Sequence, residues 1–145
     1  MRIMGLDLGD KKIGVAVSDP LGITAQGLEP FLSSGLASRD AEALSEMARK
    51  YGVNLIVVGL PRNMDGSYGP RAQKTREFAE LLKKVSGLEV VLWDERLTTV
   101  TAEKLLISAG TSRAKRKKIN DKLAAVLILQ SYLSVLENKR KGRQE

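Results

Sequence analysis

The stretch Ile3-Met4-Gly5-Leu6-Asp7-Leu8-Gly9 sets one carboxylate in the middle of an otherwise apolar run. Apolar residues occupy both alternating faces, as in a strand buried on both sides within a mostly parallel or mixed α/β sheet. Asp7 shares its face with Ile3 and Gly5. A carboxylate buried without partners costs several kcal/mol, so Asp7 must be paired, protonated or bound to a cation. On this stretch alone two readings stay open. Asp7 bonds the backbone of the following turn, Gly9-Asp10-Lys11-Lys12, or it is one acid of a cluster to which other elements contribute.

Outward from this strand the chain alternates, without repeats, low-complexity segments or a linker. Arg2–Leu8 reads as the first strand, Gly9–Lys12 as a turn and Ile13–Ser18 as the hairpin partner. Ile23–Phe31 is a weaker third strand, which Pro30 places at an edge or a strand end. Ser38 or Asp40 caps a helix through Lys50, closed by Gly52. Val53–Gly59 is a buried fourth strand, residues 61–69 a polar loop, and Pro70 suits the first turn of a helix to about Val85. Leu88–Trp93 is a fifth strand ending in Asp94-Glu95-Arg96. Thr98 or Thr99 begins a helix to Ala109, stopped by Gly110; a basic loop follows, and Asn120 caps a long apolar helix from Asp121 to about Leu136. A three-strand meander followed by αβαβα is similar to the ribonuclease H-like architecture, an α/β fold with a five-stranded mixed sheet flanked by helices. The helix-crossover rule sets strands four and five beside strand one, and ligands gather at the carboxyl ends of those strands. One domain is expected over residues 1–138, with a basic, frayed tail over 139–145.

The chain has 145 residues, enough for one compact domain with a real core, and contains neither Cys nor His. That excludes disulfides, zinc sites of the usual ligand types, Ser-His and Cys-His triads and histidine acid–base chemistry. Catalysis would run on carboxylates, lysines, hydroxyls or metal. No charged n-region precedes a long apolar stretch and no apolar run reaches membrane-spanning length, so a cytoplasmic protein without a membrane partner is expected. The net charge of +7 is unevenly placed: residues 1–100 hold 13 basic and 13 acidic side chains, so the whole excess sits in the last third. Its densest part, Arg113, Lys115, Arg116, Lys117 and Lys118, is a phosphate footprint for nucleic acid. Lys139, Arg140, Lys141 and Arg143 belong to the solvated tail.

Two further acids stand at the places where ligands gather. Strand alternation puts Glu95 on the face of Val91 and Trp93, and Asp94 with Val90 and Leu92. Glu95 lies further out in the crevice and is the favoured ligand; an ordinary pairing with Arg96 is the alternative. Asp121 opens the last helix, where the helix dipole favours an acid in any case. Ala124 and Ala125, three and four residues on, share its face and let that helix approach the sheet, turning Asp121 toward the sheet's end. Three carboxylates from three elements suit hard divalent cations, Mg²⁺ with Mn²⁺ as the alternative. Two such ions about 4 Å apart activate a water and stabilise the leaving oxygen of a phosphodiester displacement. Acids alone would repel a nucleic-acid backbone, and the basic segment that leads into Asp121 supplies the counterpart. Together they indicate a metal-dependent nuclease. Phe, Tyr and Trp total six, which favours recognition of backbone and shape over base stacking.

Gly5-Leu6-Asp7-Leu8-Gly9 with Ile13-Gly14-Val15-Ala16, Val57-Val58-Gly59-Leu60-Pro61 with Asp65-Gly66, Asp94-Glu95-Arg96-Leu97-Thr98-Thr99, and Asp121-Lys122-Leu123-Ala124-Ala125 follow one another in order and spacing. In this the chain resembles the bacterial YqgF-like proteins, described as candidate pre-16S ribosomal RNA nucleases and as candidate Holliday-junction resolvases of the RuvC-like, ribonuclease H-fold group. The resemblance covers residues 1 to about 138. It implies Asp7, Glu95 and Asp121 as catalytic, metal-holding acids, and Arg96, Thr98 and Thr99 as residues that position a nucleic-acid substrate, either pre-ribosomal RNA or branched DNA. Where ribonuclease H-like enzymes often carry an acid at the end of the fourth strand, this chain has Gly59-Leu60-Pro61. Glu95 then substitutes from the neighbouring strand, and Asp10 or Asp94 is left to complete a set of four.

Two rival readings have a basis in the sequence. The Asp7-Leu8-Gly9 hairpin is similar to the first phosphate loop of actin-like ATPases, which need two such domains where this chain supplies one. A non-catalytic nucleic-acid-binding factor could keep the same fold. Monomer and homodimer both fit the sequence, and a symmetric junction substrate would want the dimer.

Overall fold

The computed structural model describes residues 1–63, 65–95 and 113–144, with side chains of the last stretch over 123–140. Strands β1 (Arg2–Leu8) and β2 (Lys12–Ser18) form an antiparallel hairpin. Two short strands, β3 (Ala25–Gly27) and β4 (Phe31–Leu32), both pair antiparallel with β2. Helix α1 (Ala37–Lys50) leads to β5 (Val53–Leu60), and helix α2 (Pro70–Ser86) to β6 (Glu89–Asp94). Helix α3 (Arg113–Gln144) closes the described chain. The sheet order is β3-β2-β1-β5-β6, with β4 beside β2, and both β1–β5 and β5–β6 are parallel. The meander and the two parallel additions are those expected. Among the described residues no helix is long and apolar enough to cross a membrane.

Four local expectations need correction. The third strand is two strands, because the chain leaves the β2 edge between Leu28 and Phe31, around Pro30, which has no N–H to give a ladder. Neither Ser38 nor Asp40 is the N-cap of α1, which is Leu36 without a side-chain bond. Asp40 instead lies buried inside the helix and accepts hydrogen bonds from Ser33 Oγ (2.6 Å), the Ser34 N–H (2.8 Å) and Ser34 Oγ (2.8 Å), pinning the incoming loop. Those bonds hold its carboxyl below the usual carboxylate range despite burial, which pushes the other way. The basic segment is not a loop: Arg113–Lys118 belong to the first turns of α3, so Asn120 is inside the helix rather than its cap. The backbone of α3 runs on to Gln144, beyond the expected end near Leu136. The expected helix from Thr98 or Thr99 to Ala109 lies outside the described residues. The remaining ends hold: Pro70 opens α2, and Gly52 (φ 67°) follows α1 in the left-handed conformation that favours glycine; Gly87 (φ 71°), which the sequence reading had not singled out, ends α2 in the same way.

Two layers of helix cover the sheet. Met4, Leu6, Val15, Ile56 and Val58 face α1 and α2, burying Leu44 and Leu82. Ile3, Leu55 and Val57 face α3 through Ala125, Ile128, Leu129 and Leu133. α3 comes unusually close. A Cβ on Gly5 would stand 2.8 Å from Leu129 Cβ and 3.1 Å from the Ala125 carbonyl oxygen; one on Gly59 would stand 2.5 Å from Ile128 Cδ1. The helix is also pinned at both sides of the sheet. Gln130 accepts from the Ala25 N–H (3.1 Å) and donates to the Ile23 carbonyl (3.3 Å), while Trp93 Nε1 donates to Ser131 Oγ (3.1 Å). Trp93 also meets Tyr132 edge-to-face, with centroids 5.3 Å apart.

Gly5 is therefore a packing glycine in an extended strand. Gly5→Ala is expected to destabilise the protein by about 1–3 kcal/mol, the range for overpacking a well-filled core. Chemical denaturation reads this directly, and unchanged stability would mean that α3 is not seated on β1.

Candidate active site

Asp7 and Glu95 approach from strands that are not neighbours. β5 lies between β1 and β6, and adjacent strands are about 4.8 Å apart, so two carboxyls must reach across a whole strand. Leu6 pairs with Val58, so the same register carried one step on sets Asp7 level with Gly59, and Gly59 in turn is level with Trp93. Glu95 follows two residues later on the same face, and its N–H donates to the Leu60 carbonyl (3.2 Å). The strand between the acids thus presents a glycine where a side chain would stand: a Cβ on Gly59 would be 3.4 Å from Glu95 Oε2. Across that gap the two carboxyls hydrogen-bond.

Both acids are half-buried. Burial, followed by the Asp7 charge and the hydrogen bond to Asp7, pushes the Glu95 carboxyl up to about 8 from its ordinary 4.5. The Arg71 guanidinium pulls it down and the Asp94 charge adds to the rise. At neutral pH Glu95 therefore holds a proton and donates it to the Asp7 carboxylate. A hard cation, with its appetite for carboxylate oxygen, would displace the Glu95 proton and draw on both side chains. The donor set fits a divalent ion and offers nothing to a soft one.

Asp94 takes the other direction. Its Oδ2 lies 3.3 Å from Arg62 Nη1, and Arg62 also donates from Nε (3.0 Å) and Nη2 (2.5 Å) to the Gly66 carbonyl. Arg62 thereby ties the end of β6 to the loop after β5. The same loop carries Tyr68, half of it exposed and lying between two guanidiniums, with Arg62 Cζ 4.6 Å and Arg76 Cζ 4.4 Å from the ring centroid. Asp10 is exposed at the β1–β2 turn, beside a cavity of about 480 Å³ between that turn and α2.

The structure brings Asp7 and Glu95 together. Among the described residues no three acids stand close enough to hold a metal ion. Asp121 is on α3, its backbone helical and one turn before Ala125, whose carbonyl faces Gly5; its side chain lies outside the described residues. The side chains of Arg113, Lys115, Arg116, Lys117 and Lys118 lie outside them as well, as do Arg96, Thr98 and Thr99 altogether. Sequence reasoning noted Gly59 only as standing where an acid is often found, and passed over Arg62 and Arg71. The first had a legible signal, a glycine ending a strand of branched residues, which marks a close approach. The other two are ordinary surface arginines until the loop folds beside the acids.

Comparisons with known proteins bear on the family and the fold. A family model described as "RuvX: Holliday junction resolvase" matches residues 1–135. A protein of Pelotomaculum thermopropionicum with the name "Putative pre-16S rRNA nuclease" is 62% identical over 133 residues, covering 92% of this chain and 86% of the relative. One of the same name from Clostridium tetani is 52% identical over 139 residues, covering 96% and 100%. Among solved structures, Thermus thermophilus RuvC, in a structure described as a complex with a Holliday junction substrate, superposes with a TM-score of 0.53 at 17% identity, covering 94% of this chain and 96% of that one. At that identity the likeness speaks for the fold, which is ribonuclease H-like. The chain belongs to the RuvX family.

Proposed function

We propose that this protein hydrolyses phosphodiester bonds with Asp7, Glu95 and Asp121 holding Mg²⁺, or Mn²⁺ in its place, and that its substrate is the 5′ end of pre-16S ribosomal RNA, in the cytoplasm. The observation that carries the reading is the hydrogen-bonded Asp7–Glu95 pair, made possible by Gly59 at the carboxyl end of the sheet. The names of the relatives supply the RNA substrate. The family description favours a second substrate, the four-way DNA junction. Divalent ions held at the acids would supply the activation of a water and the neutralisation of charge on the leaving oxygen. Asp7 and Glu95 supply the oxygens that would hold them, and α3 carries Asp121 on the turn preceding Ala125. Arg62 keeps Asp94 off the site, so Glu95 alone is turned toward Asp7. Ile128 packs against Gly59, the position between the two acids. Cleavage of a pre-16S RNA 5′ fragment and of a four-way junction, each with and without Mg²⁺, tests the reading and chooses between substrates. Cleavage of neither overturns it.

Within this reading, Asp7→Asn and Glu95→Gln are each expected to lower Mg²⁺-dependent cleavage by roughly 10² or more, with folding intact. Asp94→Asn is expected to cost much less, because Asp94 answers to Arg62. Equal losses at positions 94 and 95 in single-turnover assays would refute the assignment.

Protonation of Glu95 makes stability depend on pH. Between about 4.5 and about 8 the folded chain keeps a proton that the unfolded chain has released, so stability falls as pH rises through that window. In metal-free buffer, thermal unfolding should therefore show a declining midpoint from pH 5 to pH 8, a decline that Glu95→Gln flattens. Added Mg²⁺ should raise the midpoint more at pH 8 than at pH 5, since it must displace the proton. A midpoint indifferent to both changes would separate Glu95 from the metal.

The basic first turns of α3 should act on affinity rather than on turnover. Replacing Arg113, Lys115, Arg116, Lys117 and Lys118 by Ala is expected to weaken binding to all nucleic-acid sequences alike. Each lost phosphate contact should reduce the log–log salt slope by roughly 0.7 to 0.9. An unchanged slope in binding titrations would mean that the segment is merely solvated.

A further inference from the structure

The opening of α2 carries charge of the wrong sign for a helix start. A helix N-terminus has partial positive charge and is stabilised by acids, yet the first turn of α2 has none and begins Pro70-Arg71, with Lys74 following. Such placement works against the helix, which directs attention to what else Arg71 faces. Its side chain is exposed and its Nη2 makes one long contact, 3.4 Å, with the Leu8 carbonyl, the residue after Asp7. The ion pairs among the described residues are Arg49–Glu46 and Arg62–Asp94, so Arg71 is in neither. Its charge nevertheless reaches Glu95. Arg71 and Lys74 line the cavity of about 480 Å³ beside Leu8, Gly9 and Asp10. Two of the other acids there already have partners: Asp40 is bound by Ser33 and Ser34, and Glu77 accepts from Gln73 Nε2 at 3.3 Å. A guanidinium has five donors in a planar fork that matches phosphate, and the Leu8 carbonyl engages one of them.

We propose that Arg71, with Lys74 one turn further on, forms a phosphate-binding subsite of the nucleic-acid backbone at the α2 side of the Asp7–Glu95 pair. The subsite lies on a different helix from the basic segment of α3, so the backbone is held on two sides of the acids. It rests on the nuclease reading for its substrate class and deepens it: Arg71 offsets the negative charge that a phosphodiester meets at the acid pair. Contacts of this kind fix the register of the backbone and carry no base information.

The test is binding by the full chain in an Asp7→Asn background, with a labelled single-stranded RNA and a labelled four-way DNA junction as probes. Arg71→Ala is expected to weaken both by about tenfold at low salt, the scale of one charged hydrogen-bonded contact, and to reduce the log–log salt slope by about 0.7 to 0.9. Arg71→Lys should keep the slope, since the charge remains, while losing part of the affinity. Lys74→Ala should act in the same direction more weakly. Affinity and slope unchanged in Arg71→Ala would overturn the proposal. So would a lowered unfolding midpoint without a change of slope, which would make Arg71 a brace on Leu8, or no binding of either probe. Failure of the nuclease reading is distinct: wild type would cleave neither probe with Mg²⁺, while Arg71-dependent binding persisted.

Discussion

The close approach of α3 to the sheet governs the rest of this molecule. It depends on two positions without side chains, Gly5 on β1 and Gly59 on β5, over which Leu129, Ala125 and Ile128 settle. Dispersion falls off steeply with distance, so the absent Cβ atoms bring a whole helical face into contact. That face buries Ile128 and Leu129 completely. Polar bonds at the two flanks, from Gln130 to the β3 edge and from Ser131 to Trp93, then fix where the helix lies along the sheet. The same seating carries the backbone of Asp121 to the turn before the Gly5 contact.

Gly59 links packing to chemistry. It accepts Ile128 from above and leaves open the space through which Glu95 reaches Asp7. An acid on β5 would occupy that space itself; here the acid is moved one strand over and the intervening position is emptied. Proximity and burial then raise the Glu95 carboxyl until it keeps its proton at neutral pH. Such a pair is strained toward any partner that can supply positive charge, and around it the charges are sorted: Arg62 removes Asp94, while Arg71 stays close enough to act on Glu95. The loop after β5 and the start of α2 thus bring two arginines close to the acid pair.

Much of the architecture was legible in the residues. Apolar runs on both faces of 3–8 and 53–60 require a sheet covered on both sides, and Gly52 marks where a helix stops, for a conformational reason that is local. The errors were local too, and they have a common cause. A short acid or amide such as Asp40 or Asn120 is read as a cap because capping is its commonest local use. Whether the helix has already begun depends on what the preceding residues touch: Asp40 found two serines instead, and the basic residues before Asn120 stayed helical. Pro30 marked a break correctly, but only pairing to β2 shows that both halves return to the same edge.

For the site, the division follows from distance along the chain. Alternation within one strand is a covalent property, so sequence alone determined that Asp94 and Glu95 face opposite ways and that Asp7 lies on the face of Ile3 and Gly5. Sequence also determined the kind of chemistry available, since a chain without His or Cys has hard oxygen ligands to offer and little else. Which acids meet is another matter. Asp7 and Glu95 are brought together by the parallel register of three strands and by the missing side chain on the middle one, and Arg62 and Arg71 reach the site through a loop and a helix start. Those are relations between elements remote in sequence, set when hydrophobic faces bury against one another, and only the tertiary structure decided them.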